Sequence, residues 1–523
     1  MTAVETVDAV VVGAGHNGLV AANLLADRGW SVVVLEATAT PGGAVQSAAL
    51  CEPGFVNDVC SAFYPLGAAS PVLKALELER WGLEWLHAPY VLAHPASDGA
   101  CPIVSRDIDE TLDSLARTHP DDAASWRRLH DEWGVVRSSL LDVLLGSFPP
   151  VRAGTRLAAA LRRDLLRFAR FAVLPVRRLG EERFVGDPAR RLLAGAALHA
   201  DLTPETPLSG LFGWLLCMLG HEVGFPVVAG GAGRLTDALV ARLRDRGGEV
   251  RCSRPVVRVE LDDGRATGVV DAHGTRWRAG KAVLAAVDAP TLYRTLVGEE
   301  ALGPRRRADV RTFQWDHATV KIDWTLDRPI PWEHPDARRA GTVHLVDGLD
   351  ALSRACTELV CREVPARPFV LVGQQSITDR SRQPAGTETA WAYTHLHHGA
   401  SADDVARLVE RVHGELERFA PGFGASIRRT YVAGPRDLQR HDPSLVDGAI
   451  AGGTTAMHQQ LVFRPFPGTG RPETPVRSLY LASASAHPGG GVHGAPGANA
   501  ARAALWHDRL RVRRRSRDAQ LDG

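Results

Sequence analysis

Residues 9–36 read AVVVGAGHNGLVAANLLADRGWSVVVLE, and this stretch decides the fold. Ala9–Val12 is a short apolar, β-branched run stopped by glycine, the pattern of a buried parallel strand. His16–Arg28 then carries Leu19, Ala22 and Ala26 at helical spacing, with Gly29 as its stop. Ser31–Leu35 is a second strand, closed by Glu36. Strand, glycine turn, helix and strand in this order predict a βαβ unit. The three glycines have separate tasks: Gly13 permits the tight turn, Gly15 lets backbone approach a pyrophosphate, and Gly18 lets helix pack closely on strand. The helix N-terminus offers N–H groups and positive dipole to phosphate. A carboxylate at Glu36 accepts hydrogen bonds from ribose hydroxyls and repels a 2′-phosphate. The motif alone does not separate FAD from NAD.

Two further glycine segments sharpen this reading. Gly42 and Gly43, shortly after the ribose acid, let the chain pass close to an extended cofactor. Far along the chain, residues 479–501 read LYLASASAHPGGGVHGAPGANAA. This predicts a strand opening into a polyglycine turn and then a helix of small residues. The N-terminus of that helix can stabilise negative charge, including charge that grows on a reduced flavin ring.

These segments, with Val10–Gly43, Pro226–Gly233 and Val283–Pro290, resemble the phytoene desaturase-like FAD-dependent oxidoreductases. Within them the chain resembles the subgroup that includes the PYROXD2-like proteins and the desaturase-like carotenoid ketolases. The resemblance implies an α/β fold: a Rossmann-type FAD-binding domain of the amine oxidase and phytoene desaturase kind, interleaved with an α+β substrate domain. It implies FAD held by Gly13, Gly15, Gly18, Glu36, Gly42 and Gly43, and by Gly489, Gly490, Gly491, Gly494 and Asn499 of the C-terminal segment. It also implies an adenine-side backbone contact near Val256. Ser483 and Ser485 depart from the family, where glycine is usual, and Ala44 stands where some relatives carry arginine.

The 523 residues carry 61 Lys+Arg against 60 Asp+Glu, a net charge of +1, so no global field recruits nucleic acid. The expected domains are residues 1–75, 225–305 and 450–523 for FAD, and 76–224 and 306–449 for the substrate. From Ala75 to Gly224 the sequence reads as amphipathic and helical, with Leu157, Leu161, Leu165, Phe168 and Ala172 on one face. Nine arginines against three acids between Arg152 and Arg183, and six arginines in the tail Arg509–Arg517, suit contact with anionic lipid as well as a solvated face. Seven scattered cysteines form no Cys-x-x-Cys pair, so no zinc site and no redox pair is read. They suit a cytoplasmic protein, peripheral to a membrane at most. The longest apolar stretch, Leu208–Gly220, is too short to span a bilayer as a helix.

Removal of a hydride by flavin requires the carbon positioned, water excluded and a group for the proton. The candidates are His487 and His493 beside the glycines, and Lys321, which alternation places on one strand face with Thr319 and Asp323. His458 and Arg464 are weaker. Trp214, Trp315, Trp324, Trp332 and Trp391 fit either a lipophilic cavity or ordinary core. The expected activity is desaturation or oxidation of a lipophilic small molecule (a polyene, terpenoid or similar compound), with oxygen or a quinone-like compound reoxidising the flavin. A flavin-dependent isomerase or saturase, and a non-catalytic flavin-binding protein at a membrane, are the alternatives. The oligomeric state is left open.

Overall fold

The computed structural model describes residues 4–521, with side chains through Val512; the last arginines of the tail, at 513–517, lie outside the described side chains. One sheet runs in the order Val256–Asp262, Arg265–Asp271, Arg276–Ala285, Val4–Val12, Val32–Leu35, Glu249–Arg251, and Leu479–Leu481 also pairs with Arg276–Ala285. Leu479–Leu481, Arg276–Ala285, Val4–Val12, Val32–Leu35 and Glu249–Arg251 pair in parallel. The first strand begins earlier than its apolar run. Its polar half, Val4–Val7, pairs with Arg276–Ala279 outside the helical cover, where alternation with solvent hides the strand signal. Helices His16–Ala26, Gly233–Asp245 and Ala495–Leu521 cover one face of this sheet.

The second sheet has seven strands, ordered Ile427–Ala433, Ala318–Leu326, Glu388–Leu396, Val370–Gly373, Ala340–Leu345, Tyr90–Ala93 and Ile103–Val104. Helix Ala402–Phe419, whose Ser401 and Asp404 form a capping box, packs Leu408, Val412 and Leu416 on one face. The opposite face carries Lys321 paired with Tyr393 and Asp323 paired with Trp391, as the alternation requires. Tyr90–Ala93 and Ile103–Val104 interrupt the segment read as helical. A four-residue apolar run has no decisive period, and its partner, Ala340–Leu345, lies about 250 residues away.

Helices Pro120–Leu145, Val151–Leu161, Leu165–Val173, Val176–Arg183, Asp187–Leu198 and Ser209–Glu222 pack together as a bundle. The single helical face expected over 157–172 is divided: Arg162 takes φ +48° and a 3-10 turn, Arg162–Asp164, separates two helices. Leu157, Leu161, Phe168 and Ala172 still pack inward, whereas Leu165 turns to solvent. Among the described residues, no helix is long and apolar enough to cross a membrane.

Candidate active site

The first turn shows the division of labour among its glycines. Gly13 has φ +93°, and a Cβ on Gly18 would lie 2.1 Å from Gly13 O. A Cβ on Gly15 would meet nothing within 4 Å, so open space lies over its backbone. Glu36 turns into the same place: one carboxylate oxygen accepts from Ala14 N at 2.7 Å, and the other accepts from Thr38 N and Oγ1 at 2.9 Å. Gly42 N–H donates to Ala14 O, and a Cβ on Gly43 would stand 3.3 Å from Gly15 Cα. The chain entering Val256 lies beside this acid, since Arg254 N–H donates to Glu36 O and Ser253 N–H to Thr38 O.

The C-terminal glycine turn arrives at the same helix end. A Cβ on Gly497 would fall 1.9 Å from Asn17 O, so the start of helix Ala495–Leu521 rests directly on the start of helix His16–Ala26. Gly489, Gly491 and Gly494 all have positive φ, and a Cβ on Gly490 would meet Ala451 Cα at 2.8 Å. Three histidines gather here. His16, pushed down to about 4 by burial, lies against the Gly491 backbone. His493 accepts from Ala495 N and reaches Gly490 O at 3.2 Å, so both its nitrogens cap the turn. His487, pushed down to about 4 chiefly by burial, leaves both ring nitrogens without an aligned partner and sets its ring 5.7 Å from Phe148. Nothing in the local sequence marks His16; only the return of a segment more than 470 residues away gives it a setting.

Asn499 bonds the loop that precedes helix Val151–Leu161. Its amide donates to Gly146 O at 3.2 Å and accepts from Ser147 Oγ at 3.0 Å, tying the loop before helix Val151–Leu161 to the C-terminal helix. Ser485 does more than fit the turn: its hydroxyl donates to Gly452 O and accepts from Ala289 N. Arg464 is fully buried and binds the carbonyls of Ala451, Gly453, Thr454 and Ala484 at 2.7–3.4 Å. It clamps the segment that touches Gly490. Asp316 holds the other side of that segment through the N–H groups of Ile450, Ala451 and Gly453. His458 is exposed and bonds Gln314.

Lys321 is buried, with Nζ 2.6 and 2.5 Å from the two oxygens of Asp323 and 5.7 Å from the centre of the Trp391 ring. Burial pushes the Asp323 carboxyl up, and Lys321 opposes that shift. Trp391 stacks on Tyr393 and contacts Phe63, so the pair lies in an aromatic floor. Further along the same face Asp201 lies 3.1 Å from His395 beside a small pocket lined also by Leu198, Leu359, Phe369 and His317. Trp214, Trp324 and Trp332 are core residues whose N–H groups donate to Leu129 O, His413 and Gln374, while Trp315 is half-buried against Phe313.

The chain matches the family of flavin containing amine oxidoreductases over residues 102–505, and an NAD(P)-binding Rossmann-like domain over residues 11–76. It belongs to the flavin-containing amine oxidoreductases. The flavoprotein is 28% identical to pyridine nucleotide-disulfide oxidoreductase domain-containing protein 2 of Rattus norvegicus, across 94% of this chain and 92% of that protein. It is 25% identical to a lycopene-forming phytoene desaturase of Paracoccus sp., across 94% and 95% of the two chains. The structure of cyclohexylamine oxidase from Brevibacterium oxydans shares the fold, with a TM-score of 0.58 and 19% identity over 96% of this chain and 99% of that one.

The cofactor of this flavoprotein is FAD, and its residues fit the group. The open space over Gly15 has the buried Asn17 Oδ1 and His16 Nε2 nearby in sequence, both without partners, as a site for a polar ligand requires. Sequence reading missed Asp442, whose carboxylate would lie 2.9 Å from a Cβ on Gly43. Burial raises its carboxyl to about 6, with Glu36 and Asp288 adding to the shift; His441, beside it, bonds Gly43 O. The neutral form is therefore favoured below about 6, and above it a carboxylate faces the diphosphate end of the cradle. FAD affinity is expected to fall roughly tenfold as pH rises through that range. Fluorescence titration of the apoprotein checks this, and Asp442→Asn should flatten the dependence.

Proposed function

We propose that this FAD-dependent oxidoreductase removes a hydride from an apolar substrate, a polyene, terpenoid or similar lipophilic molecule, as a desaturase or oxidase. The observation carrying the reading is the aromatic sheet face. Phe63, Trp391 and Tyr393 form a floor whose central charges, Lys321 and Asp323, neutralise each other. Leu66, Leu371 and the helical bundle continue it as one apolar cluster. Such a surface excludes water and offers little to a strongly charged substrate. The phytoene desaturase among the relatives, by its name, acts on a polyene.

FAD would be held by the Gly13–Gly18 turn, Glu36, Gly42 and Gly43, and the 489–491 turn, and when bound supplies the two-electron acceptor for the hydride. The chain supplies the rest. Arg464 and Asp316 fix the segment packed on Gly490, Trp391 and Tyr393 line the floor, and Lys321 presents an ammonium oriented by Asp323. Oxygen or a quinone-like acceptor then completes turnover.

Anaerobic mixing with a carotenoid, a monoterpene and a cyclic amine tests the reading. Bleaching of the flavin spectrum by the hydrocarbon, with a product lighter by two hydrogens, is expected. Bleaching by the amine alone would overturn it. Product of unchanged mass would indicate an isomerase, and product heavier by two hydrogens a saturase.

A further inference from the structure

We infer that helices Val151–Leu161 and Leu165–Val173, together with the exposed stripe of the C-terminal helix, form a docking surface for an anionic lipid bilayer. The inner sides of the two short helices are occupied by Leu157, Leu161 and Phe168 against the bundle. Their outer sides mix arginines with exposed apolar residues. Leu166 is 83% exposed and Val151 65%, with Leu165 and Val173 also open to solvent. Apolar side chains left open on the outer side of helices already packed inward call for a second partner.

Charge selects the partner. Arg156, Arg170, Arg177, Arg178 and Arg183 are all paired with acids. Arg152, Arg162, Arg163 and Arg167, interspersed with the exposed apolar residues, make no ion pair among the described residues. Unpaired arginine beside exposed leucine and valine is the composition of an interfacial helix on anionic headgroups. A second copy related by a twofold axis would set this patch against itself, arginine facing arginine.

A second segment shares this end of the molecule. Asn499 of the C-terminal helix bonds Gly146 and Ser147, and Ser147 lies four residues before the start of helix Val151–Leu161. Asn499, Arg502, Trp506 and Leu510 recur at helical spacing, and Trp506 is 60% exposed. Tryptophan at an apolar–polar boundary is suited to a bilayer interface. The connecting loop also touches the glycine turn, through Phe148 and His487, so the surface adjoins the FAD site. The inference does not depend on which substrate is oxidised.

Flotation of the holoenzyme tests it, with vesicles of phosphatidylcholine containing phosphatidylglycerol compared with phosphatidylcholine alone. Co-flotation with the anionic vesicles, weakened by salt, is expected. Leu166→Glu, and separately Arg163→Glu with Arg167→Glu, should each lower the partition coefficient at least about tenfold, taking about fivefold per arginine lost at the surface. Arg305→Glu, on an exposed helix elsewhere, should leave it unchanged. Wild-type melting temperature and FAD content in each variant would show that folding is intact. Absence of flotation, equal binding to neutral vesicles, or unchanged binding in the variants would overturn the inference. So would a dimer in sedimentation that Leu166→Glu dissociates.

Discussion

Replacement of Gly15 by valine is expected to leave the protein folded but without FAD. Gly15 has φ −64° and ψ 165°, a conformation open to any residue, and its missing Cβ points into space where the protein has no atoms within 4 Å. The new side chain therefore strains nothing in the polypeptide. It fills the approach that a diphosphate needs to the backbone of the first turn. Affinity for FAD should fall by at least about a hundredfold, the loss of roughly 3 kcal/mol of charge-assisted contact at a helix N-terminus. Melting of the apoprotein should be unchanged. Gly18 and Gly497 make the contrast. A Cβ there would lie 2.1 Å from Gly13 O and 1.9 Å from Asn17 O, both backbone atoms that cannot rotate away. Gly18→Val and Gly497→Val should lose stability and FAD together. Absorbance ratios of purified protein and thermal melts of the three variants check the set; equal melting losses in all three would refute the division of labour.

The second large effect concerns Lys321 and Asp323. Both side chains are buried, and removing one partner leaves the other charge without compensation. Asp323→Ala is expected to cost about 3–5 kcal/mol in a denaturant titration, because the ammonium stays buried and unpaired. Removing both, as Lys321→Met with Asp323→Leu, should restore most of that stability, since a buried pair can be replaced by apolar residues of similar volume at little cost. Catalysis should not recover. If Lys321 handles a proton or orients the reacting group, flavin reduction in the double variant stays at least about a hundredfold slow. A double variant with full stability and wild-type reduction rate would make the pair purely structural. The sign of the acid's shift agrees with burial: Asp323 lies above the ordinary carboxylate range despite its lysine.

The parts of the fold legible in the sequence were those whose local and tertiary requirements agree. In residues 9–36 the β-branched run, three glycines, helical spacing and terminal acid all predict one βαβ unit, and it forms with boundaries shifted by a few residues. Helix Ala402–Phe419 was legible because Ser401 caps it and its apolar residues keep period throughout. Tyr90–Ala93 was not, because its pairing with Ala340–Leu345 decides its conformation and neither run carries enough alternation alone. The break at Arg162 leaves the inward residues in phase, so periodicity passed over it.

The site divides in the same way. Glycines announce themselves by what their backbone must do, so the turns around Gly15 and Gly490 could be found from composition and spacing. Side chains that act through convergence could not. His16, Asp442 and Asp316 acquire their surroundings only when segments hundreds of residues apart meet at the glycine turn and the first helix. Arg464 was noticed for its position, but four carbonyl contacts make it a clamp on the 451–454 segment. The nitrogens of His493 belong to the turn and the helix cap, whereas those of His487 have no aligned partner, only the Gly146 backbone beside the ring.

The most direct test of the central claim, that two glycine segments at opposite ends of the chain jointly hold one FAD, is a crystal structure of the holoenzyme. The account predicts FAD touching the backbone of Gly15, the carboxylate of Glu36, Gly42 and Gly43 and, at its other end, the 489–491 turn. An FAD that reaches the first turn but leaves Gly489, Gly490 and Gly491 without contact would contradict it.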